Sequence, residues 1–269
     1  MSATSSVTPQ DLGDALATLR ERSPLVHCLT NIVVAGWTAN VLLAVGAVPA
    51  MVDNPHEAGE FAGIAGGVLV NLGTPYDDTA AAMHLAVAVA KREGTPWVLD
   101  PVAAGALGWR TALAQQLLGE ARPTIIRGNA SEILALAGGR GGNGVESVDS
   151  PEAAAEVAMR MATEQRTVIA VSGPTDHITN GTAMVRVSNG HTWLTRVTGT
   201  GCALGALMAA FAAVVPDAVV AAAAATATLT VAAESAAKQV HGPGSFAVVL
   251  LDKLSLMEPA DLAARVRIV

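Results

Sequence analysis

Charged residues are scarce in this chain of 269 residues, making up 14% of it, against roughly 25% of an average soluble domain. Hydrophobic residues make up 51%, so we expect much of the surface to be covered, either by a thick core or by neighbouring subunits. The net charge is −7, and no run of lysine and arginine is present to neutralise the phosphates of a nucleic acid. These absences exclude nucleic-acid binding, but not a small anionic ligand, which needs only local donors.

Cysteine is also rare, and we expect no apolar run long enough to span a membrane. Cys28 and Cys202 cannot build a disulfide scaffold in a chain of this size, so we expect reduced thiols in a cytoplasmic protein. The N-terminus has no positively charged region followed by an apolar one, and therefore no secretory signal. The most apolar window, 218–233, falls short of the roughly 20 residues that a membrane span needs, which predicts a buried helix and no membrane contact.

Short runs of β-branched residues alternate with alanine-rich stretches, and this alternation determines the fold prediction. It favours an α/β fold, in which helices cover both faces of a mostly parallel central sheet. We predict a single domain over 1–269, with an N-terminal helical extension at 1–23 and a glycine-rich loop at 138–151. The predicted strands are 47–52, 67–73, 96–102, 124–129 and 167–173, followed by a β-hairpin over 182–197 with its turn at Asn189-Gly190.

Candidate functional residues lie where the predicted strands end. In open α/β sheets, ligands bind outside the carboxyl ends of the strands, so polar or adaptable side chains at those ends are the first candidates. The positions selected in this way are Met51, Asn71, Asp100, Arg127, Ser172 and the turn 198–202.

The turn "VTGTGC" leads directly into a long apolar helix. Gly199 and Gly201 allow a ligand to approach the backbone, and the helix start offers unpaired N–H groups to an anion such as a phosphoryl group. A turn with glycine for steric reasons alone is the alternative. A dinucleotide fingerprint is disfavoured because the motif comes late and lacks its acidic partner, and a phosphate loop of the G-x-x-x-x-G-K-[ST] type is absent.

Cys202 stands at the start of that helix, where the positive end of the helix dipole predicts some thiolate character. A buried structural cysteine is the alternative. A Cys–His hydrolase is disfavoured because none of the six histidines lies in a recognisable partner motif.

Two carboxylates are predicted at the same edge of the sheet. Asp100 and Glu132 could hold Mg²⁺, mainly through waters, although Glu132 also has the spacing of a capping box with Asn129. Arg127 near the end of an apolar strand requires an anion or a carboxylate partner. Ser172 could donate to a phosphate or begin a turn.

A second polar group lies near the N-terminus, in "LVHCLTN". Polar residues such as Asn31 between apolar runs need partners, and they either line a small pocket or satisfy loop backbone. Met51 would suit the wall of a pocket for a flat heteroaromatic ligand, although such a methionine can equally be plain core.

Taken together, the motifs "LVHCLTN", "LVNLGT", "VLDPV", "PTIIRGNASEI", "VSGPTD", "VTGTGCALGA" and "GPGSF" follow one another between about Pro24 and Leu254. In this order they resemble the hydroxyethylthiazole kinase family of the ribokinase-like superfamily. The resemblance implies a three-layer fold, ATP-dependent phosphorylation of the hydroxyl of 4-methyl-5-(2-hydroxyethyl)thiazole in thiamine salvage, and a homotrimer with its sites at subunit boundaries.

The resemblance also implies roles for individual residues. The 199–202 turn would form the anion hole, and Cys202 would position the hydroxyl and act as a modest base. The remaining implied roles are ATP contacts by Arg127 and Ser172, thiazole contacts by Met51, Gly199 and Asn31, and organisation of Mg²⁺ by Asp100 and Glu132.

The chain departs from the family pattern at two places beside the presumed thiazole pocket. Gly36-Trp37 stands where Asn-Phe is expected, and Val48 stands where serine is usual. A kinase for another small heteroaromatic alcohol, such as the hydroxymethylpyrimidine, is therefore the nearest alternative. A dehydratase acting on hydrated nicotinamide cofactor and a non-catalytic nucleotide sensor are more distant ones.

Overall fold

The computed structural model describes residues 7–138 and 151–269, so most of the predicted 138–151 loop lies outside the described residues. Its centre is one sheet of eight strands in the order β2-β1-β3-β4-β5-β6-β7-β8. The first six strands pair in parallel, and the last two add antiparallel pairs at one edge. The strands are β1 (Leu25–Leu29), β2 (Val48–Ala50), β3 (Gly67–Asn71), β4 (Trp97–Asp100), β5 (Ile125–Asn129), β6 (Val168–Ser172), β7 (Asp176–Thr179) and β8 (Met184–Val187).

Helices cover both faces of this sheet, which gives the three layers that were expected. Each face has its own hydrophobic core, one around the helices α8, α9 and α10 and one around α4, α5 and α7. The helices are α1 (Pro9–Arg22), α2 (Ala35–Val45), α3 (Ala58–Ala62), α4 (Asp77–Glu93), α5 (Gly108–Glu120), α6 (Ala130–Gly138), α7 (Pro151–Gln165), α8 (Thr200–Ala212), α9 (Ala218–Ala237), α10 (Pro243–Ser255) and α11 (Pro259–Arg265).

The N-terminal helix α1 is part of the first of these cores. Thr8 caps it through a reciprocal pair of hydrogen bonds with Asp11, which fixes where the helix begins. Three leucines at helical spacing, Leu12, Leu16 and Leu19, are fully buried. The predicted helix is thus present, and its buried leucines are part of the core on one face of the sheet.

All five predicted strands are present, with shorter boundaries, but the predicted hairpin over 182–197 is wrong. The hairpin is formed by β7 and β8, and its turn is made by Asn180, whose side-chain oxygen accepts from two backbone N–H groups of the turn. The chain contains three Asn-Gly pairs, and the one at Asn180-Gly181 makes the turn instead of the predicted Asn189-Gly190. Asn189 instead bonds to residues outside the sheet, and a short 3₁₀-helix follows at Thr192–Arg196.

Strand β1 was not predicted, although it lies between β2 and β3 in the sheet. Its five residues form an apolar run that contains His27 and Cys28, and a polar residue within such a run obscures the pattern of a strand buried on both faces. The imidazole is accommodated because Nε2 of His27 bonds to the carbonyl of Val52 at 2.6 Å.

Helix α9 is the buried helix predicted from the most apolar window. Its 20 residues are long and apolar enough to cross a membrane by length and composition, but 78% of its most apolar stretch is buried inside the fold. Its alanines allow neighbouring helices to approach closely, so α9 acts as the central helix of one core.

This close packing makes α9 intolerant of larger side chains. We expect Ala224→Leu to lower the free energy of unfolding by about 2 kcal/mol, because Ala224 is fully buried and overpacking a dense core costs about 1–3 kcal/mol. The same substitution at the exposed Ala88 of α4 is the control and should change stability by less than about 0.5 kcal/mol. Urea denaturation measures both, and equal stability of the two variants would contradict the packing of α9.

Candidate active site

Five neighbouring parallel strands deliver polar side chains to one edge of the sheet. The register pairs Asn71 at the end of β3 with Asp100 at the end of β4, and Asn129 at the end of β5 with Ser172 at the end of β6. Helix α8 begins beside the same edge. The polar side chains selected at the strand ends thus lie together at one edge of the sheet, and the site remains a candidate.

A row of hydrogen bonds joins helix α8 to the centre of this edge. Asn31 donates through Nδ2 to Sγ of Cys202 at 3.5 Å and to Oδ1 of Asn71 at 3.0 Å. Asn71 in turn donates through Nδ2 to Oδ2 of Asp100 at 2.7 Å. Asn31, Asn71 and Asp100 are all buried, so each side chain is fixed by its neighbours.

Arg127 connects this row to the other side of the site. Its Nη1 lies 3.4 Å from Oδ2 of Asp100, and its Nη2 donates to Oγ of Ser172 at 3.1 Å. The guanidinium also lies directly beside helix α8, because a Cβ added at Gly201 would be 3.0 Å from Nη2 of Arg127. Only a residue without a side chain lets the helix start and the positive charge come this close.

Gly199 forms the turn that begins helix α8. Its φ of 88° belongs to the left-handed region, which strongly favours glycine, and an added Cβ would lie 2.5 Å from Cγ1 of Val34 and 3.1 Å from Cδ1 of Trp37. Thr200 fixes the turn by donating its hydroxyl to the carbonyl of Leu194 at 2.7 Å. The first backbone N–H groups of α8, which a helix leaves without an internal partner, thus face the region of Arg127.

Burial alters the protonation of the two acidic groups at the centre. It raises the pKa of Asp100 to about 6, against the opposing effect of Arg127. Burial and the nearby charge of Asp100 also raise the pKa of the Cys202 thiol. The pKa of Cys202 is thus raised and not lowered, which contradicts the predicted thiolate character and favours the neutral thiol.

Glu132 forms the predicted capping box of α6. Its Oε2 accepts from the backbone N–H of Asn129 at 2.9 Å, while Oδ1 of Asn129 accepts from the backbone N–H of Glu132 at 2.9 Å. Its Oε1 accepts from the backbone N–H of Ala103 at 3.0 Å. Glu132 is still close enough to Asp100 for its charge to raise the pKa of that carboxyl.

Asp100 has one oxygen to spare. Its Oδ1 is buried and has no hydrogen-bond partner among the described residues. In the described part of the chain, no group of three or more histidine, cysteine and acidic side chains forms a metal cluster. One spare carboxylate oxygen near a second carboxylate nevertheless fits Mg²⁺, which is usually bound by one or two carboxylates with waters and substrate phosphates.

A cavity of about 590 Å³ extends from Arg127 and Ser172 away from the sheet. This volume is within the range of small-molecule and cofactor sites. Asp176 lies in its wall, accepts from the backbone N–H of Gly173 at 3.1 Å, and has its pKa raised to about 6 by burial. The other walls are formed by the segment 188–195, the start of α8 and the side chains of Leu229 and Thr230 on α9.

The structure thus brings together most of the residues selected from the sequence. Met51 follows β2 at the same edge, two strands from β3, and packs against the core. Asn71 and Asp176 also belong to the candidate site, but the sequence assigned no role to either residue. Asn71 was recognisable as a polar residue ending an apolar strand next to Asp100, whereas Asp176 comes close to Arg127 only through the turn between β6 and β7. The residues joined by hydrogen bonds are Asn31, Asn71, Asp100, Arg127, Ser172 and Cys202. Gly201 lies beside Arg127.

Comparisons with known proteins agree with this architecture. The family model described as "Hydroxyethylthiazole kinase family" matches residues 16–259. A hydroxyethylthiazole kinase from Clavibacter sepedonicus is 57% identical over 256 residues, covering 95% of this chain and 93% of that protein.

Solved structures give the same result. The structure of a hydroxyethylthiazole kinase from Pyrococcus horikoshii OT3 superposes with a TM-score of 0.90 at 38% identity, covering 96% of this chain and 98% of that one. A ribokinase-like protein from Enterococcus faecalis, at 14% identity and a TM-score of 0.63, shares the fold over 94% of this chain and 90% of its own. The fold is therefore ribokinase-like, and the chain belongs to the hydroxyethylthiazole kinase family.

Proposed function

We propose that the chain transfers the terminal phosphoryl group of ATP to the hydroxyl of 4-methyl-5-(2-hydroxyethyl)thiazole, a step of thiamine biosynthesis and salvage. The observation that carries the proposal is the continuous row of contacts from Cys202 through Asn31, Asn71 and Asp100 to Arg127. An acceptor at one end of this row and a nucleotide at the other would meet at the start of α8. The proposal assigns 1–269 to one kinase domain.

The donor ATP would occupy the 590 Å³ cavity, with its phosphates toward Arg127 and Ser172. The guanidinium and the first N–H groups of α8 converge at that end of the cavity. In a loose phosphoryl-transfer transition state, charge spreads over the equatorial oxygens, and these donors are placed to stabilise it. This supports Arg127 and Ser172 as ATP contacts and Gly199 and Gly201 as parts of the anion hole.

Asp100 and Glu132 would hold Mg²⁺ for this reaction. The unpartnered Oδ1 of Asp100 and the nearby charge of Glu132 support the assignment. When bound, the cation neutralises phosphate charge and orients the phosphates. Asn71 keeps the other oxygen of Asp100 occupied, which leaves Oδ1 as the oxygen free to bind.

The acceptor alcohol would lie beside Cys202 and Asn31, with Met51 and Gly199 as further contacts. A neutral thiol cannot accept a proton, but a loose transition state needs little proton removal before the bond to phosphorus breaks. Cys202 therefore orients the hydroxyl, whose proton leaves late to an oxygen of the transferred phosphoryl group. Trp37, one of the departures from the family pattern, packs against Gly199 and so adjoins the place of the alcohol.

The enzyme would work in the cytoplasm as a homotrimer. Apolar side chains are exposed directly beside the site, where Ile32 and Val33 follow Asn31 with exposed fractions of 76% and 65%. Val48 is exposed on the edge strand β2. Covering these side chains with a neighbouring subunit would place a subunit boundary at the alcohol site.

A substrate assay tests the function directly. We expect ATP-dependent formation of the thiazole phosphate, detected by mass spectrometry, with kcat/KM at least about ten-fold above that for the hydroxymethylpyrimidine. Chelation of divalent cations should abolish the reaction, and added Mg²⁺ should restore it. A preference for the pyrimidine would reassign the substrate, and a lack of turnover with every alcohol would remove the kinase proposal.

The role of Cys202 is tested by substitution. We expect Cys202→Ala to lower kcat about ten-fold, less than the roughly 10²–10⁴-fold of a full general base, because the thiol is neutral. Cys202→Asp should retain turnover, since a carboxylate beside Asp100 has a raised pKa and accepts a proton near neutral pH. Cys28→Ala removes the other thiol, buried in β1, and serves as the control. An unchanged kcat in Cys202→Ala would contradict the role.

The trimer is tested by molar mass in solution. Light scattering should give three copies of the 27.1 kDa chain, and Ile32→Glu should dissociate them, because a charge cannot be buried unpaired at an apolar interface. Val248→Glu, at a residue exposed to 64% on α10, is the matched control and should leave the trimer intact. A monomeric or dimeric wild type would refute the assembly.

A further inference from the structure

One wall of the cavity is a loop that the sheet does not support directly. The segment from Ser188 to His191 follows β8 and lines the same cavity as Ser172 and Arg127. Loops of this kind are the least fixed part of a binding site unless other groups hold them. The residues that hold this loop therefore determine the shape of the cavity.

Glu234 is the main support of the loop. Its Oε1 accepts from the backbone N–H of Gly190 at 3.0 Å, and its Oε2 accepts from Nδ2 of Asn189 at 3.2 Å. Partial burial raises the pKa of Glu234, but hydrogen bonds from Arg267 and the loop outweigh this effect, so the pKa lies below its ordinary value. The carboxylate is thus ionised at neutral pH and binds the loop through charge-assisted hydrogen bonds.

Arg267 completes the support from the other side. Its Nη2 lies 2.6 Å from Oε1 of Glu234 and donates to the carbonyl of Ser188 at 2.8 Å. Its backbone N–H donates to Oδ1 of Asn189 at 2.6 Å, and its carbonyl accepts from the backbone N–H of Ser188 at 3.0 Å. The side chains of the ion pair therefore hold Ser188, Asn189 and Gly190, and the backbone of Arg267 holds the first two of these again.

Helix α9 connects this support to the cavity. Thr230 lines the cavity, and Glu234 lies one helical turn further along the same face of α9 without lining it. The helix is rigid and buried, so the distance between the wall formed by Thr230 and the wall formed by the loop is set through Glu234. The Glu234 carboxylate affects the shape of the cavity only through Asn189 and Gly190, the loop residues that donate hydrogen bonds to it.

We propose that Glu234, with Arg267, is a positioning residue for the nucleotide, which it serves by fixing the 188–191 wall of the cavity. The inference rests on the proposed function, in which this cavity takes ATP. The alcohol lies on the other side of Arg127, beside Cys202 and Asn31, so the support affects nucleotide binding and leaves the alcohol site and the phosphoryl-transfer step unchanged.

Steady-state kinetics of Glu234→Gln test this positioning role. A glutamine of equal size keeps one acceptor oxygen but loses the ion pair and places an amide NH₂ against donors. We expect KM for ATP to rise about ten-fold, which is about 1.4 kcal/mol, while kcat and KM for the thiazole stay within about two-fold. The control is Glu120→Gln, which breaks an exposed 2.8 Å contact with His84 elsewhere on the surface and should change no kinetic parameter.

A second variant and a binding measurement distinguish a positioning role of Glu234 from a mere loss of stability. Arg267→Met leaves the carboxylate on the loop and should raise KM for ATP by about three-fold, so it supports the proposal even where Glu234→Gln folds poorly. Calorimetry with a non-hydrolysable ATP analogue should show matching losses of affinity.

A wild type without thiazole phosphorylation would refute the proposed function alone. Variants with lower melting temperatures but unchanged KM and analogue affinity, or with equal losses for both substrates, would overturn the positioning role.

Discussion

The contact between Arg127 and Asp100 is the constraint on which the site depends. Both groups are withdrawn from water at the centre of the sheet edge, with side-chain exposures of 12% and 0%, and they are 3.4 Å apart. Burying such a pair costs desolvation free energy that the attraction between the charges does not always return. The pair is only partly satisfied, because Oδ1 of Asp100 has no partner among the described residues. This incomplete satisfaction is what a site prepared for phosphate and a cation requires.

The same contact explains the state of the neighbouring groups. Asn71 and Asn31 transmit the position of Asp100 to Cys202, and the negative charge of Asp100 helps to keep the thiol protonated. The helix start supplies donors without supplying a base. In the proposed reaction, charge stabilisation and orientation would therefore carry most of the catalysis, and proton abstraction would carry little.

The sequence indicated which polar side chains meet at the sheet edge because this part of the candidate site is built by local rules. Parallel strands end at one edge, and a glycine turn begins a helix there, so Asp100, Arg127, Ser172 and the 199–202 turn could be placed together. The protonation of Cys202 could not be predicted, since it depends on burial and on the distance to Asp100, which sequence does not contain. The hairpin was misplaced because the chain has three Asn-Gly pairs, and only tertiary contacts select the one that forms the turn.

The 188–191 wall of the cavity, unlike the sheet edge, is held by residues that are far apart in the sequence. It is fixed by Glu234 on α9 and by Arg267 beyond α11, contacts that span 44 to 79 positions along the chain. No local pattern marks such residues, since a glutamate at the end of an alanine-rich helix is typical of any solvated surface. The separation between the sheet edge and the support of the 188–191 wall has a physical consequence. In the proposed function, groups on the sheet edge would act on the reacting atoms, whereas a support outside the sheet would determine the fit of the nucleotide. Substitutions in that support would then change affinity without disturbing the chemistry.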